Sequence, residues 1–252
     1  MKTIVISLQK GGVGKTSLSV SLAAELAKLS GLVLLIDADP QGNSTAWIGS
    51  DEVSLELADV LTEKAELQKV IMKTSFAGLS LLPTAGLGGD LKSFGESGAK
   101  DDPMCMRRLI KDTAKLGFHC VVIDLSPAWG AIERSAALAA DQIITPILGD
   151  SFAADGLQIF SENLETLKKR FDITKPAYTH IIVNAIDGRI KQHIEMLDAI
   201  KASNKNFSVY SVPVDPAFRM AQRKHVFIQD IATSKTETRA ALSAIAADIW
   251  EA

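Results

Sequence analysis

The sequence has few cysteines, no long apolar run and no leader-like start, and each absence excludes a class of protein. Its 2 cysteines, Cys105 and Cys120, lie outside any C-x-x-C pair, which argues against a disulfide framework or a zinc site. No apolar stretch approaches the roughly 20 residues that a membrane span needs. Lys2 is followed directly by an apolar run and a polar loop, so we recognise no secretory signal and expect a cytoplasmic protein.

Length and charge favour one soluble α/β domain. A chain of 252 residues can bury a sizeable core, and we expect a single domain over residues 1–252. The net charge is −3, but its distribution is uneven. Residues 1–167 contain 14 lysines and arginines against 21 acidic residues, whereas residues 168–252 contain 13 against 9. Two interpretations stay open: ordinary surface scatter, or a basic face for a polyanion in the C-terminal part.

A glycine-rich turn follows the first apolar run. Residues 4–8 read as a buried parallel strand, the turn covers residues 10–16, and a helical pattern follows. Strand, glycine-rich loop and helix in this order are typical of a phosphate-binding loop, because glycines let backbone N–H groups approach phosphate oxygens. The positive end of the helix dipole would favour the same anion. In this geometry Lys15 can reach the β- and γ-phosphates, and the Thr16 hydroxyl can bind Mg²⁺.

The loop departs from the general pattern G-x-x-x-x-G-K-[ST] at its first position. Gln9 stands where that pattern has a glycine, and Lys10 adds a second lysine inside the loop. A second lysine is not needed merely to hold a nucleotide. It suggests a positive charge that is supplied to a phosphate on another subunit.

The sequence Lys10-Gly11-Gly12-Val13-Gly14-Lys15-Thr16 resembles the deviant Walker A loop of the ParA/MinD family of P-loop ATPases. The resemblance implies that the protein binds ATP and Mg²⁺ and closes into a homodimer when ATP is bound. It implies nucleotide contacts from the whole loop: Lys10, Gly11, Gly12, Val13, Gly14, Lys15, Thr16 and Ser17.

Three further carboxylates follow two apolar runs that read as buried strands. Residues 32–36 lead into Asp37-Ala38-Asp39-Pro40, and residues 119–123 lead into Asp124. Ligands bind at the carboxyl edge of parallel sheets, so acidic residues at strand ends are expected near a nucleotide. The runs resemble the family's switch I and Walker B motifs. By that resemblance Asp39 would position the attacking water, while Asp37 and Asp124 would support the Mg²⁺ shell with Thr16. Lys10, Lys15 and Asp39 are therefore the expected catalytic residues.

The turn after Asp124 resembles switch II, with one difference. The family usually has two consecutive prolines there, whereas this chain has Ser126-Pro127. This difference bears on the conformation of the switch.

Later strand ends provide the expected adenine contacts. Asn184 closes an apolar run, and its amide suits a base edge; the resemblance places it near adenine. Pro213 and Asp215 follow the next apolar run, in the loop that the family uses to hold adenine. A plain turn is the alternative interpretation for that loop.

Basic residues cluster after this loop. Arg219, Arg223 and Lys224 lie within a few residues of one another, and Arg189 could join them. Such a surface would bind the phosphate backbone of DNA without reading bases. A solvated charged face is the alternative.

The order of elements predicts an α/β fold: a doubly wound, mainly parallel sheet of about seven strands with helices on both faces. Residues 44–75 read as helical with loops, and the glycine-rich residues 84–102 as a mobile surface segment. Further helices are predicted over residues 103–116, 152–170, 190–203 and 235–250. The last helix lacks a basic polar face, so we expect no membrane binding. Because the first strand starts at residue 3, we also expect no separate operator-binding domain.

The resemblance leaves three functions open. The first is a ParA-type ATPase that drives plasmid or chromosome partition with a ParB-like centromere-binding partner, which would stimulate hydrolysis. The second is a related ATPase that positions a protein cargo on the nucleoid through an adaptor. The third is a MinD-like regulator of the division site on the membrane, against which the last helix counts. A non-enzymatic nucleotide switch is a further, weaker alternative. We expect the first, with nucleoid association through non-specific DNA.

Overall fold

One eight-stranded sheet forms the centre of the protein. The computed structural model describes residues 1–49, 52–150 and 153–252. The strands are β1 (Lys2–Ile6), β2 (Val33–Ala38), β3 (Met72–Lys73), β4 (Leu79–Leu82), β5 (Cys120–Leu125), β6 (Gln142–Leu148), β7 (Ala177–Ile186) and β8 (Ser208–Pro213). Their order across the sheet is β3-β4-β2-β5-β1-β6-β7-β8. All neighbouring pairs are parallel except β3–β4.

Helices cover both faces of this sheet. In chain order they are α1 (Lys15–Ser30), α2 (Asn43–Ile48), α3 (Leu57–Leu61), α4 (Leu67–Val70), α5 (Leu91–Glu96), α6 (Gly98–Asp101), α7 (Cys105–Lys115), α8 (Ala131–Ala139), α9 (Ala153–Phe171), α10 (Lys191–Ser203), α11 (Ala217–Lys224) and α12 (Thr236–Glu251). Short 3-10 turns lie at Gly86–Gly88 and Ile228–Asp230. None of the helices in the described ranges is both long and apolar enough to cross a bilayer.

Two apolar layers hold the helices against the sheet. One layer joins β1 side chains such as Ile4 and Ile6 to α1, α2, α11 and α12. The other contains Val5 and packs against α7, α8 and α9. Successive side chains of a strand point to opposite faces, so a central parallel strand that is covered on both sides must be apolar throughout. This confirms the predicted doubly wound, mainly parallel α/β sheet.

The structure corrects two details of the prediction. The eighth strand, β3, has only two residues and lies at the sheet edge within the region expected to be helical. The segment 84–102 was expected to be a mobile surface segment, but it forms α5 and α6, and its Leu91 and Ala99 are each 1% exposed. Its glycines mark the turns between short packed helices. The predicted start of a helix at residue 152 lies outside the described residues.

Strand register brings three loops to one edge. Residue Asp124 of β5 is paired with Ile6 of β1 on one side and with Asp37 of β2 on the other. The glycine-rich loop after β1 and the acidic turns after β2 and β5 therefore start at the same level of the sheet. This alignment cannot be predicted from the order of the sequence alone, because β1, β2 and β5 are far apart in the chain.

Candidate functional site

The glycine-rich loop has the space and the backbone geometry that phosphate oxygens need. Gly12 and Gly14 have φ angles of 75° and 91°, in the left-handed region that favours glycine. A Cβ atom added to Gly11 or Gly12 would meet no atom within 4 Å, whereas one on Gly14 would lie 2.2 Å from the Asn184 amide nitrogen. Helix α1 starts at Lys15 without a side-chain cap or an acidic residue in its first turn. Its first N–H groups are therefore available to an anion.

Lys15 lies across this loop. Its Nζ donates hydrogen bonds to the carbonyl oxygens of Lys10 at 2.8 Å and Leu8 at 3.3 Å, and the residue is 7% exposed. Burial lowers the pKa of Lys15, and the negative charges of Asp124, Asp39 and Glu133 partly oppose that effect. The ammonium group thus lies among acidic side chains at the mouth of the loop.

Lys10, the second lysine of the loop, contacts its own subunit. Its Nζ lies 2.6 Å from Asp150 Oδ2, just beyond the end of β6. The two side chains are 29% and 36% exposed. The expected contact of Lys10 with a partner's phosphates stays a prediction, and it would require this ion pair to open.

Asp124 is fully buried at the end of β5. It accepts hydrogen bonds from the hydroxyl groups of Ser19 at 2.9 Å and Ser44 at 2.8 Å. Burial raises the pKa of Asp124, and hydrogen bonds from Ser44, Ser19 and Thr16 act in the opposite direction. The Thr16 hydroxyl and this carboxylate, the two expected partners of Mg²⁺, are therefore close together.

Asp37 is the second buried carboxylate. Its Oδ2 accepts hydrogen bonds from the Thr45 N–H and the Thr45 hydroxyl, both at 2.7 Å, and its Oδ1 accepts the Asp39 N–H at 3.3 Å. Burial and the charge of Asp124 raise the pKa of Asp37 to about 7. Two neighbouring buried carboxylates favour a proton or a cation beside them.

This donor set fits a magnesium ion that is shared with phosphate. The described residues contain no group of three His, Cys, Asp or Glu side chains that could hold a metal alone. Magnesium usually keeps several waters and needs only one or two protein ligands besides substrate phosphates. Thr16, Asp37 and Asp124 supply a hydroxyl and two carboxylates of that kind.

Asp39 lies at the border of a cavity. It is 6% exposed, and its Oδ1 accepts the Gln41 N–H at 2.9 Å, which fixes the turn after β2. The cavity beside it measures about 650 Å³, and its lining also includes Lys92, Ser126 and Pro127. A carboxylate that borders such a space can contact a water molecule.

The expected adenine contacts come from the other half of the sheet. The Asn184 amide donates to the Val13 carbonyl at 2.9 Å, so it touches the glycine-rich loop itself. Both oxygens of Asp215 accept backbone N–H groups, from Ala217 at 2.9 Å and Lys235 at 2.8 Å. This carboxylate holds the starts of α11 and α12, so its side chain has a structural role. Pro213 ends β8 beside it.

The basic residues divide into two groups. Arg219, Arg223 and Lys224 are exposed on α11, and none of them forms an ion pair with another described residue. Arg189 forms an ion pair with Asp187, in which the Arg189 Nη2 group donates to Asp187 Oδ2 at 2.6 Å. The structure shows no contact between Arg189 and α11. Its membership of one basic surface stays a prediction.

Sequence reasoning missed the side chains that hold the carboxylates. Ser19 lies one helical turn after Lys15 and so faces the same side of α1. Ser44 and Thr45 begin α2, directly after the acidic turn. Their signal in the sequence is the pair of hydroxyl residues one turn beyond each motif. The sequence contains no signal for Glu133, because it lies nine residues after Asp124 and outside any recognised motif.

Comparison with known proteins identifies the family. A family model described as an AAA domain matches residues 1–176. The chain belongs to the ParA/MinD family of P-loop ATPases. A ParA/MinD relative, the sporulation initiation inhibitor protein Soj of Bacillus subtilis, is 27% identical over 224 residues, which cover 88% of this chain and 87% of Soj. Members of this family are partition or positioning ATPases.

Solved structures show the same fold. An ATP complex of McdA from Cyanothece superposes with a TM-score of 0.86 at 21% identity and covers 100% of this chain and 96% of McdA. The septum site-determining protein MinD from Pyrococcus horikoshii, complexed with Mg-ADP, gives a TM-score of 0.77 at 23% identity and covers 98% and 95%. Both of these neighbours hold an adenine nucleotide, and their likeness to this chain is one of fold.

Proposed function

We propose that the protein is an Mg²⁺-dependent ATP hydrolase of ParA type, which dimerises when ATP is bound and drives the partition of DNA. The observation that carries this proposal is the convergence of Lys15, Asp39 and Asp124 from three adjacent strand ends. A deviant Walker A loop, an acidic switch I and a Walker B aspartate then lie at one edge of the sheet. Family membership supports the same conclusion.

The nucleotide would be held by backbone groups and one buried lysine. N–H groups from Gly11 to Ser17 would surround the phosphates, and Lys15 would exchange its two carbonyl contacts for phosphate oxygens. Thr16 would bind the metal directly, with Asp37 and Asp124 accepting hydrogen bonds from its waters. The bound Mg²⁺ would neutralise charge on the β- and γ-phosphates. Asn184, Pro213 and the Asp215 backbone would lie beside adenine.

Hydrolysis would require positioning and charge stabilisation rather than covalent chemistry. Asp39 would orient the attacking water from its place at the cavity border. Lys10 would leave Asp150 and reach the phosphates of the facing subunit. Because part of each site would then come from the partner, the γ-phosphate would favour the dimer.

The dimer would bind DNA through α11. Arg219, Arg223 and Lys224 project three unpaired positive charges, and a twofold axis would double them. Contacts to phosphates alone would make the binding non-specific and sensitive to salt. A ParB-like partner on the partitioned DNA would stimulate hydrolysis and release, and non-specific binding would keep the ATP form on the nucleoid. Positioning of a protein cargo through an adaptor is the second candidate, because the family includes positioning ATPases.

A direct test combines turnover with assembly state. Purified protein is incubated with ATP and Mg²⁺, phosphate release is followed with and without EDTA, and mass is measured by light scattering with ATP, ADP or no nucleotide. We expect slow, EDTA-sensitive hydrolysis and a doubled mass with ATP alone. Failure to bind ATP with Mg²⁺ present would contradict the proposal.

A further inference from the structure

A buried hydrogen bond joins switch II to helix α8. Ser126 follows the last residue of β5, and its hydroxyl donates to Glu133 Oε1 at 2.5 Å. Ser126 is 8% exposed and Glu133 only 4%. The same serine oxygen accepts the Ala128 N–H at 3.2 Å. Ser126 directly precedes Pro127, the single proline of this turn, so the hydrogen bond is a polar constraint beside the rigid proline ring.

The surroundings of Glu133 accommodate a carboxylate. It lies in the first turn of α8, where the helix dipole favours a negative charge. A Cβ atom on Gly130 would approach Glu133 Oε2 to 2.8 Å, so the glycine leaves room for the carboxylate. The next residue, Arg134, donates from Nη1 to the Trp129 carbonyl at 2.6 Å. Two consecutive residues of α8 thus hold both ends of the turn at residues 126–130.

Glu133 is held by neutral groups. Within the described ranges, no lysine or arginine forms an ion pair with it. The Ser126 hydroxyl is therefore a principal polar contact of this buried carboxylate. Loss of either partner would leave a buried polar group without its hydrogen bond, which is costly.

We propose that Glu133 is a positioning residue that holds the switch II turn through Ser126 in the conformation that ATP hydrolysis needs. The inference rests on the proposed function, because it assumes that the protein hydrolyses ATP. It assigns a role to a carboxylate outside the Walker and switch motifs. It also explains how this chain can hold switch II with the single proline Pro127.

Substitutions test the hydrogen bond from both of its ends. Ser126→Ala removes the donor, and Ser126→Thr should restore the hydroxyl. Glu133→Ala removes the acceptor, and Glu133→Gln keeps an oxygen that can accept the Ser126 hydroxyl. Glu25→Ala is the matched control, since Glu25 is another buried glutamate that contacts Lys28 and Gln229 at a distance from the motifs.

The experiment measures the dissociation constants of ADP and ATP with Mg²⁺, kcat and KM, and the fluorescence of Trp129. That fluorescence is isolated by subtracting the spectrum of the same protein with Trp129→Phe. We expect Glu133→Ala to shift Trp129 emission and to lower kcat at least threefold, because the Ser126 hydroxyl loses its acceptor. Glu133→Gln should retain more of kcat than Glu133→Ala. We expect Ser126→Ala to shift Trp129 emission and to lower kcat at least threefold with little change in KM. Ser126→Thr should recover both values.

Each outcome has a defined meaning. If Glu133→Ala leaves kcat and Trp129 emission unchanged, or if Glu25→Ala changes them equally, the role of Glu133 is wrong. If Ser126→Ala leaves Trp129 emission and kcat unchanged, the positioning role is wrong. A wild-type protein that binds Mg-ATP while both variants behave like it overturns this inference alone. A wild-type protein that binds no Mg-ATP overturns the proposed function as well.

Discussion

Lys10 and Asp150 form an ion pair across the mouth of the glycine-rich loop, with 2.6 Å between Nζ and Oδ2. The lysine that a facing subunit would need is therefore bound within its own chain in this structure. Ion pairs that are open to solvent contribute about 0–1 kcal/mol, so breaking this contact by itself costs little. In the proposed dimer, Asp150 would compete with the partner's phosphates for Lys10.

Weakening this pair should favour the dimer. We expect Asp150→Asn to lower the ATP concentration that gives half-maximal dimer by up to about fivefold, the equivalent of about 1 kcal/mol. Sedimentation velocity across an ATP series measures the change. Asp155→Asn, an exposed acidic residue on the following helix, is the control. An unchanged midpoint in Asp150→Asn would show that the ion pair does not hold back Lys10.

Removal of Lys15 should abolish ATP binding. Its ammonium is the buried cation of the loop, and alanine would leave the Leu8 and Lys10 carbonyls without their donor. We expect Lys15→Ala to weaken ATP binding at least 100-fold in fluorescent-nucleotide titration, while Lys28→Ala on the same helix binds normally. Thermal unfolding of both variants distinguishes a binding defect from general destabilisation. Retained ATP affinity would remove Lys15 from the site.

Loss of the Asp39 charge should stop turnover and leave binding intact. Asp39→Asn keeps an oxygen for the Gln41 N–H, so the turn should persist while the water-orienting carboxylate is lost. General-base and positioning effects of this kind contribute roughly 10²–10⁴-fold to rate. We expect hydrolysis to fall by about 100-fold and the ATP-bound dimer to accumulate, as measured by phosphate release and light scattering. Normal hydrolysis would refute the assigned role.

DNA binding should depend on α11. Arg219→Ala combined with Arg223→Ala removes two positive charges, so the slope of log affinity against log salt should fall by about 2. Filter binding of duplex DNA with ATP at several salt concentrations measures this slope. The control pair Arg107→Ala and Lys111→Ala removes two exposed charges from α7. Equal losses in both double variants would indicate general electrostatics rather than a surface on α11.

The raised pKa of the buried Asp37 should make the stability of the folded protein depend on pH. Its pKa is raised from the ordinary 3.8 to about 7, so between these values the folded state retains a proton that the unfolded state releases. Rising pH therefore favours unfolding in this window, and the contribution of Asp37 to stability should decline from about pH 4 to about pH 7. Urea unfolding without Mg²⁺ should show this decline relative to Asp37→Asn. A constant difference between the two proteins would contradict it.

Most of the fold and the glycine-rich loop could be predicted from local sequence patterns. Apolar runs fixed the long strands, because a strand covered on both faces must be apolar. The two-residue strand β3 was missed, since a short edge strand has no such requirement. The prediction for residues 84–102 was wrong because their glycines were taken to indicate mobility. The Glu56 carboxylate accepts the Ala85 N–H at 2.7 Å and holds the segment in place.

Contacts within the site depend on tertiary structure and could not be predicted. The pairing of Lys10 with Asp150 joins residues 140 positions apart. Ser44 reaches Asp124 only because β2 and β5 are neighbours. The sequence motifs identified the acidic residues. Which hydroxyl groups surround them depends on the order of the strands in the sheet.

Asp215 binds the first backbone groups of α11 and α12 with its two oxygens, and the loop that carries it is the proposed seat of adenine. One side chain thus fixes the starting points of the basic helix and the C-terminal helix relative to each other. If the proposed function is right, adenine would bind beside the one residue that joins these two helices.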